Sequence, residues 1–404
     1  MEMGQQPPRV DDIFRIRRIS DSRNFASLQT SWRELEKLAG NNNPFLTFEW
    51  LDAWWRHFGE HKQLCVLIAE EEGAVVGIAP LMLVREFGFT KLQFLGRPFS
   101  DYSDFLAVPN REDIVLRILG YCDQILRWDQ VELEGVPEIS PNLASFRSHW
   151  AERRGITRLN VTLVAPFVPL STSWDDFRAS LRPKVLKDTS RRMRRLQDRG
   201  PVTFELCEDL DSALAMLDHL AVQKSARYET TGARGIFREF GMLEFLKDAT
   251  RGLWNRGAVH ITSLVQGGNP LAIHFGFQCG ETFMHYMPSF DDRYAKYSVG
   301  RLLNFQLLEM CFRNGIKEFD FLPGDEAYKH QWSRRSRSMF RFAAYAPSVK
   351  GFALFGAKEL GLPWLRKLAG VRAAARRCRS TLLKIKESSF IRLRRKDRAN
   401  GLKT

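Results

Sequence analysis

The chain has 404 residues, of which 44% are hydrophobic and 12% aromatic; that is enough apolar surface for two domain-sized cores and rules out a disordered polymer. Its net charge of +14 is unevenly placed. Fourteen Lys or Arg from Arg366 to Thr404 face only Glu387 and Asp397, so the body is close to neutral and nucleic acid is an unlikely partner for it.

Six cysteines (Cys65, Cys122, Cys207, Cys279, Cys311 and Cys378) lie far apart, with no C-x-x-C pair and no His/Cys group at zinc spacing. They read as reduced thiols. His57 and His61 in HFGEH stand four apart, but Gly59 breaks the helix and Glu60 is misplaced, so no metal site is expected there. The opening MEMGQQPPRVDDIF lacks the basic-then-apolar order of a signal peptide, and no apolar run reaches the roughly 18 residues of a bilayer span. The expectation is a cytoplasmic protein, with peripheral contact to the inner face of an anionic membrane through 352–398.

In chain order, Phe25–Leu38 and Phe48–Phe58 carry apolar residues at helical spacing, and Leu64–Glu70 and Val75–Val84 read as strands around the turn Glu72-Gly73. Phe89–Gly96 and Phe105–Val108 are short strands, Ile114–Leu126 a helix, and Gln130–Leu133 and Arg158–Val164 later strands. Pro166–Thr172 reads as a connector. Beyond it come a basic amphipathic helix in Lys184–Arg199, helices Asp211–Glu229 and Gly241–Asn255, and strands Ala258–Gln266, Leu271–Cys279 and Thr282–Met287. Helix Arg301–Asn314 and strands Glu318–Leu322 and Met339–Ala346 complete the pattern. The fold class is α/β with a mixed sheet, in two halves that share a helix-helix-hairpin plan. The domains are read as 1–170, 174–347 and a basic helical tail at 348–404.

Strand 282–287, the loop Pro288–Gly300 and the helix from Arg301 form a strand-loop-helix unit. Unpaired amides and the positive end of the helix dipole make Gly300 a seat for an anion, with Lys296, Ser298 and Arg301 as further donors. Asp320 alternates with Phe319 and Phe321 and so faces either a cleft or solvent. Gly324-Asp325-Glu326 reads either as a polar turn or as part of a site, with Tyr328 and Lys329 beginning a short helix whose cation would orient an anionic acceptor. His274, between apolar residues, is either a buried structural histidine or a proton carrier. Asp101-Tyr102-Ser103-Asp104 offers clustered polar groups at a strand end, suited to a hydroxyl-rich acceptor or to capping a loop. Phe45, Trp50, Trp54 and Trp55 form a core stripe, of which Trp54 is a candidate for the acceptor cleft.

YAKYSVGRLL at Tyr294–Leu303, followed by FDFLPGDEAYKHQW at Phe319–Trp332, resembles the CelD-like, BioF2-like acetyltransferases of the GNAT superfamily. PFLTFEWLDAWWRHFG at Pro44–Gly59, VGIAPLML at Val76–Leu83 and LGRPFSDYSDFL at Leu95–Leu106 agree with it. The resemblance implies tandem GNAT folds akin to the Fem peptidyltransferases and an acyl-CoA donor. It implies a site in which Met284, His285 and Tyr286 line the pantetheine arm and a backbone amide of that strand stabilises the oxyanion. Proton handling falls to Asp325 and Asp320 first, then His274 and Tyr286, with Lys329 beside them; Asp101, Tyr102, Asp104, Trp54 and Tyr328 would contact substrate. The expected reaction is acyl transfer to a cell-surface polysaccharide or a nucleotide- or lipid-linked sugar. The alternatives are a Fem-like transferase using aminoacyl-tRNA, or a non-catalytic component of a polysaccharide-synthesis complex.

Overall fold

The computed structural model describes residues 14–153, 155–231 and 241–361, and the chain divides into two compact units, Met1–Ala344 and Tyr345–Thr404. From residue 14 the elements run β1 (Phe14–Ile19), α1 (Ser22–Ala26), α2 (Gln29–Leu38), α3 (Phe48–Phe58), β2 (Lys62–Leu64), β3 (Val66–Glu71), β4 (Ala74–Ala79) and β5 (Leu81–Glu86). Next come β6 (Phe89–Phe94), β7 (Leu106–Ala107), α4 (Glu112–Gln124), β8 (Gln130–Pro137), α5 (Leu143–Glu152) and β9 (Ile156–Pro169). The later part holds α6 (Trp174–Ser180), α7 (Pro183–Gln197), β10 (Val202–Leu206), α8 (Leu210–Thr231), α9 (Met242–Trp254), β11 (Val259–Gln266) and β12 (Asn269–Cys279). It closes with β13 (Thr282–Phe290), α10 (Val299–Arg313), β14 (Glu318–Asp320) and β15 (Arg335–Tyr345).

Two sheets form. β1-β3-β4-β7 is small, and eleven strands in the order β10-β11-β12-β13-β14-β9-β15-β8-β6-β5-β2 make a continuous mixed sheet. Two readings from the sequence change. Val75–Val84 is divided at Pro80 into β4 and β5, which enter different sheets, because proline has no amide to donate to a ladder. Strand β9 runs on through Pro166 to Pro169, where a connector was expected, and its last residues pair with β14 (Glu318↔Pro169, Phe319↔Val168, Asp320↔Phe167).

Helices α3 and α9 lie against each other. Gly252 permits the approach, since a Cβ there would stand 2.9 Å from that of Glu49. Arg256, just past α9, forms ion pairs with the buried carboxylates Glu36 and Glu49 of α2 and α3, the latter at 2.6 Å. Edge-to-face and tilted aromatic contacts continue the join. Trp50 meets Phe245 at 4.8 Å, and Phe45 meets both Phe277 at 5.5 Å and Tyr286 at 5.4 Å, so the early part of the chain holds β13 in place.

The feature that makes a site is the unequal pairing of β13. With β12 it is antiparallel as far as Phe290↔Ala272, whereas with β14 it is parallel only from Thr282↔Glu318 to Met284↔Asp320. Beyond Met284 the strands splay, and among the described residues no strand pairs with that edge of β13 from His285 to Phe290.

In the second unit, Ser348 caps α11 (Val349–Phe355) through the amide of Gly351, and the Tyr345 hydroxyl donates to Glu359 at 2.6 Å. Most of the expected membrane segment, 362–398, lies outside the described residues. Among the described residues no helix is long and apolar enough to cross a membrane.

Candidate active site

The splay opens into a cleft of about 680 Å³. Its walls are β13 from His285, the start of α10, the inner face of α8, the loop 321–332 and, from the early part of the chain, Pro98, Phe99 and Asp101.

At the head of α10, Ser298 adopts a left-handed conformation with φ 52°, and its carbonyl accepts from the amides of Arg301 and Leu302. Ser298, Gly300 and Arg301 line the cleft, with the Arg301 guanidinium 3.9 Å from Asp188 of α7. Lys296 does not join them: it is exposed and lies 5.1 Å over the ring of Tyr297. The helix start thus presents backbone donors and a cation to any anion in the cleft.

On β13, His285 accepts from or donates to the Asn304 side chain at 2.9 Å and stacks on His274 at 4.5 Å. Burial pushes His285 down to about 3, and burial and the neighbouring imidazoles hold His274 well below the usual range. Both are neutral at physiological pH. His274 is fully buried with neither ring nitrogen bonded, its ring against Gly276, where a Cβ would come within 2.4 Å of it. It does not line the cleft. Met284 points into the aromatic core, and Tyr286 donates its hydroxyl to the Phe99 carbonyl at 2.9 Å.

Loop 320–329 is held by two buried charges. Asp320, fully buried, accepts from the Tyr102 hydroxyl at 2.7 Å and the Leu322 amide at 2.8 Å and faces Arg337 at 3.4 Å. This locks Leu322 at φ 59°, a strained left-handed conformation for a branched side chain. Lys329, also buried, donates to the carbonyls of Leu322 at 3.0 Å and Pro323 at 3.1 Å and pairs with Glu326 at 2.9 Å. Asp325 is elsewhere: its side chain is 75% exposed and bonded to His330, outside the cleft. The first two carboxylates read from sequence as proton carriers are therefore one exposed ion-pair partner and one fully bonded anchor.

The cleft presents two carboxylates, Glu326, which pairs with Lys329, and Asp101. No described residue makes a hydrogen bond to Asp101, and burial raises it to about 7 despite the nearby cations Lys329 and Arg97. Asp101–Asp104 is split by the fold. Tyr102 is buried between β14 and the aromatic core, and Asp104 lines a separate cavity of about 440 Å³. There it accepts from Asn142 at 2.9 Å and from the Phe105 amide at 2.8 Å. Trp54 is 1% exposed and packs on Phe58, within the core rather than the cleft. Tyr328 lines the cleft beside His285.

Two cleft residues were missed in the sequence, Lys224 and Arg227 of α8. A signal existed. Ala213, Leu217, Leu220 and Ala221 form the buried stripe of that helix, and Lys224 continues it at i+3 and i+4, placing a cation on an inward face. Burial lowers Lys224 to about 8, helped by Arg227. The cleft is lined by four cations, Lys224, Arg227, Arg301 and Lys329, against Asp101 and Glu326. Among the described residues no group of three or more His, Cys, Asp or Glu could hold a metal ion.

A helix N-terminus beside a splayed parallel strand pair, in a mixed sheet with helices on both faces, is the architecture of a GNAT-type acyltransferase. Residues 183–330 match the family model for an acetyltransferase (GNAT) domain. Among solved structures the chain is similar to FemX, at 10% identity and a TM-score of 0.52, covering 85% of this chain and 100% of that one. It is similar at 11% identity and a TM-score of 0.52 to the C-terminal domain of a putative lysylphosphatidylglycerol synthetase from Agrobacterium fabrum, covering 83% and 97%. The L-PGS structure from Bacillus licheniformis gives 11% identity and 0.52, covering 82% and 96%. A search of curated proteins found no match in sequence. The chain shares its fold with FemX.

Proposed function

We propose that this acyltransferase moves an acyl group from acyl-CoA to an amine or hydroxyl of a cell-surface polysaccharide or glycan precursor, in the manner expected of CelD-like, BioF2-like enzymes. The supporting observation is the cleft itself, which joins a cationic helix start to the unpaired edge of β13 and to one carboxylate without a partner. Ser298, Gly300 and Arg301 would hold the donor's diphosphate. The pantetheine arm fits the free edge of β13, whose amides can also donate to the developing oxyanion. Asp101 takes the proton of the attacking group, since a carboxyl near pH 7 exchanges protons with little driving force either way. Transfer is direct, with no covalent enzyme intermediate.

The test is calorimetric titration of the full chain with acetyl-, butyryl- and palmitoyl-CoA. At least one should bind, and Gly300→Glu with Arg301→Glu should weaken it about tenfold or more by placing negative charge at the helix start. If none binds, or if both variants bind as well as the parent, the proposal fails.

A further inference from the structure

With the donor's phosphates assigned to the head of α10, two charges of opposite sign are left in the cleft without a partner among the described residues: the Asp101 carboxylate and the Lys224 ammonium. The remaining charges are engaged. Lys329 and Glu326 pair with each other, Arg227 lies 4.5 Å over the ring of Phe290, and Arg301 belongs to the helix start. Among the described residues neither Asp101 nor Lys224 has a side-chain hydrogen-bond or ion-pair partner, and each is partly buried in the cleft, where a charge without a counter-charge costs stability. The two groups stand on separate walls of the same cleft, one on the loop after β6 and one on α8.

Resting on the acyl-transfer reading, we propose that the acceptor is zwitterionic: an amine that Asp101 receives, and an anionic group, phosphate or carboxylate, that Lys224 receives. The ammonium form passes one proton to Asp101. The freed nitrogen lone pair bonds to the thioester carbonyl carbon, the C–S bond breaks with its electrons on sulfur, and the second proton leaves nitrogen for the thiolate. The products are an amide and free CoA, and Asp101 returns its proton to water. Lys224 remains largely cationic at neutral pH, as holding an anion requires.

The experiment follows CoA release from acetyl-CoA by the full chain with matched amines: glucosamine 6-phosphate against glucosamine, O-phosphoethanolamine against ethanolamine, and β-alanine against propylamine. In at least one pair the anionic member should be preferred in kcat/KM by about tenfold or more. Lys224→Gln should abolish that preference without changing acetyl-CoA affinity, and Lys224→Arg should keep it. A parent enzyme with no preference in any pair, or a preference that survives in Lys224→Gln, overturns the proposal. If acetyl-CoA itself does not bind, the donor reading has failed and this inference goes with it.

Discussion

Loops 97–104 and 320–329 each carry a carboxylate into the middle of the molecule, and the two carboxylates have opposite fates. Asp320 is surrounded by a phenol, an amide and a guanidinium. Asp101, partly buried where it lines the cleft, has none of these among the described residues. A buried charge with a complete set of donors holds a fold together, whereas one without them is an expense the fold carries for another purpose. The contrast separates anchor from reagent, and it can be tested from both sides.

The largest effect is expected at the anchor. Asp320→Ala leaves the Tyr102 hydroxyl and the Leu322 amide without their acceptor and Arg337 with Glu318 alone, and should cost roughly 3–5 kcal/mol in urea unfolding. A loss under about 1 kcal/mol would erase the distinction. Asp101→Asn should do the reverse, leaving the fold intact while kcat drops about 10²- to 10⁴-fold. In the parent, kcat/KM should climb with pH through about 7 as Asp101 loses its proton, and this limb should vanish in the variant. A variant that keeps the limb would assign the proton to another group.

A smaller effect concerns stability against pH. The folded Asp101 carboxyl lies at about 7, above the 3.8 of an ordinary aspartate, so between those values the folded chain holds the extra proton and its stability falls as pH rises. Melting temperatures of parent and Asp101→Asn should therefore agree near pH 4 and diverge in favour of the variant by pH 8. The gap is on the order of 2 kcal/mol after solvent screening. Divergence in the other direction would mean that Asp101 has a stabilising partner. The smallest effect is at Asp325, where Asn should change stability by under about 0.5 kcal/mol and kcat by less than about twofold, because its pair with His330 is on the surface.

The strand-loop-helix at 282–313 was legible because its signals are local: alternation, a glycine, and a helical stripe within thirty-odd residues. The rest of the site was not. Asp101, Lys224 and Arg301 are brought together by β13 pairing with β14 and by α8 crossing that sheet, and no periodicity encodes those long-range contacts. Proximity to the most recognisable segment favoured Asp325 as the proton carrier, yet the loop turns outward there and leaves its side chain exposed. Pro166 was read as a break for a similar reason. A proline is tolerated in β9 because its carbonyl, which accepts from Phe321, is the group the sheet needs there.

The three residues of β14 carry both of its pairings, parallel to β13 and antiparallel to β9. Four strands lie on one side of them in the sheet order and six, beginning with β9, on the other. Mechanically, then, the eleven-stranded sheet narrows to a single short link at its middle, directly beside the cleft. Any load transmitted between its two ends, or any insertion that lengthens or shortens this link, reaches the width of the cleft before it reaches anything else.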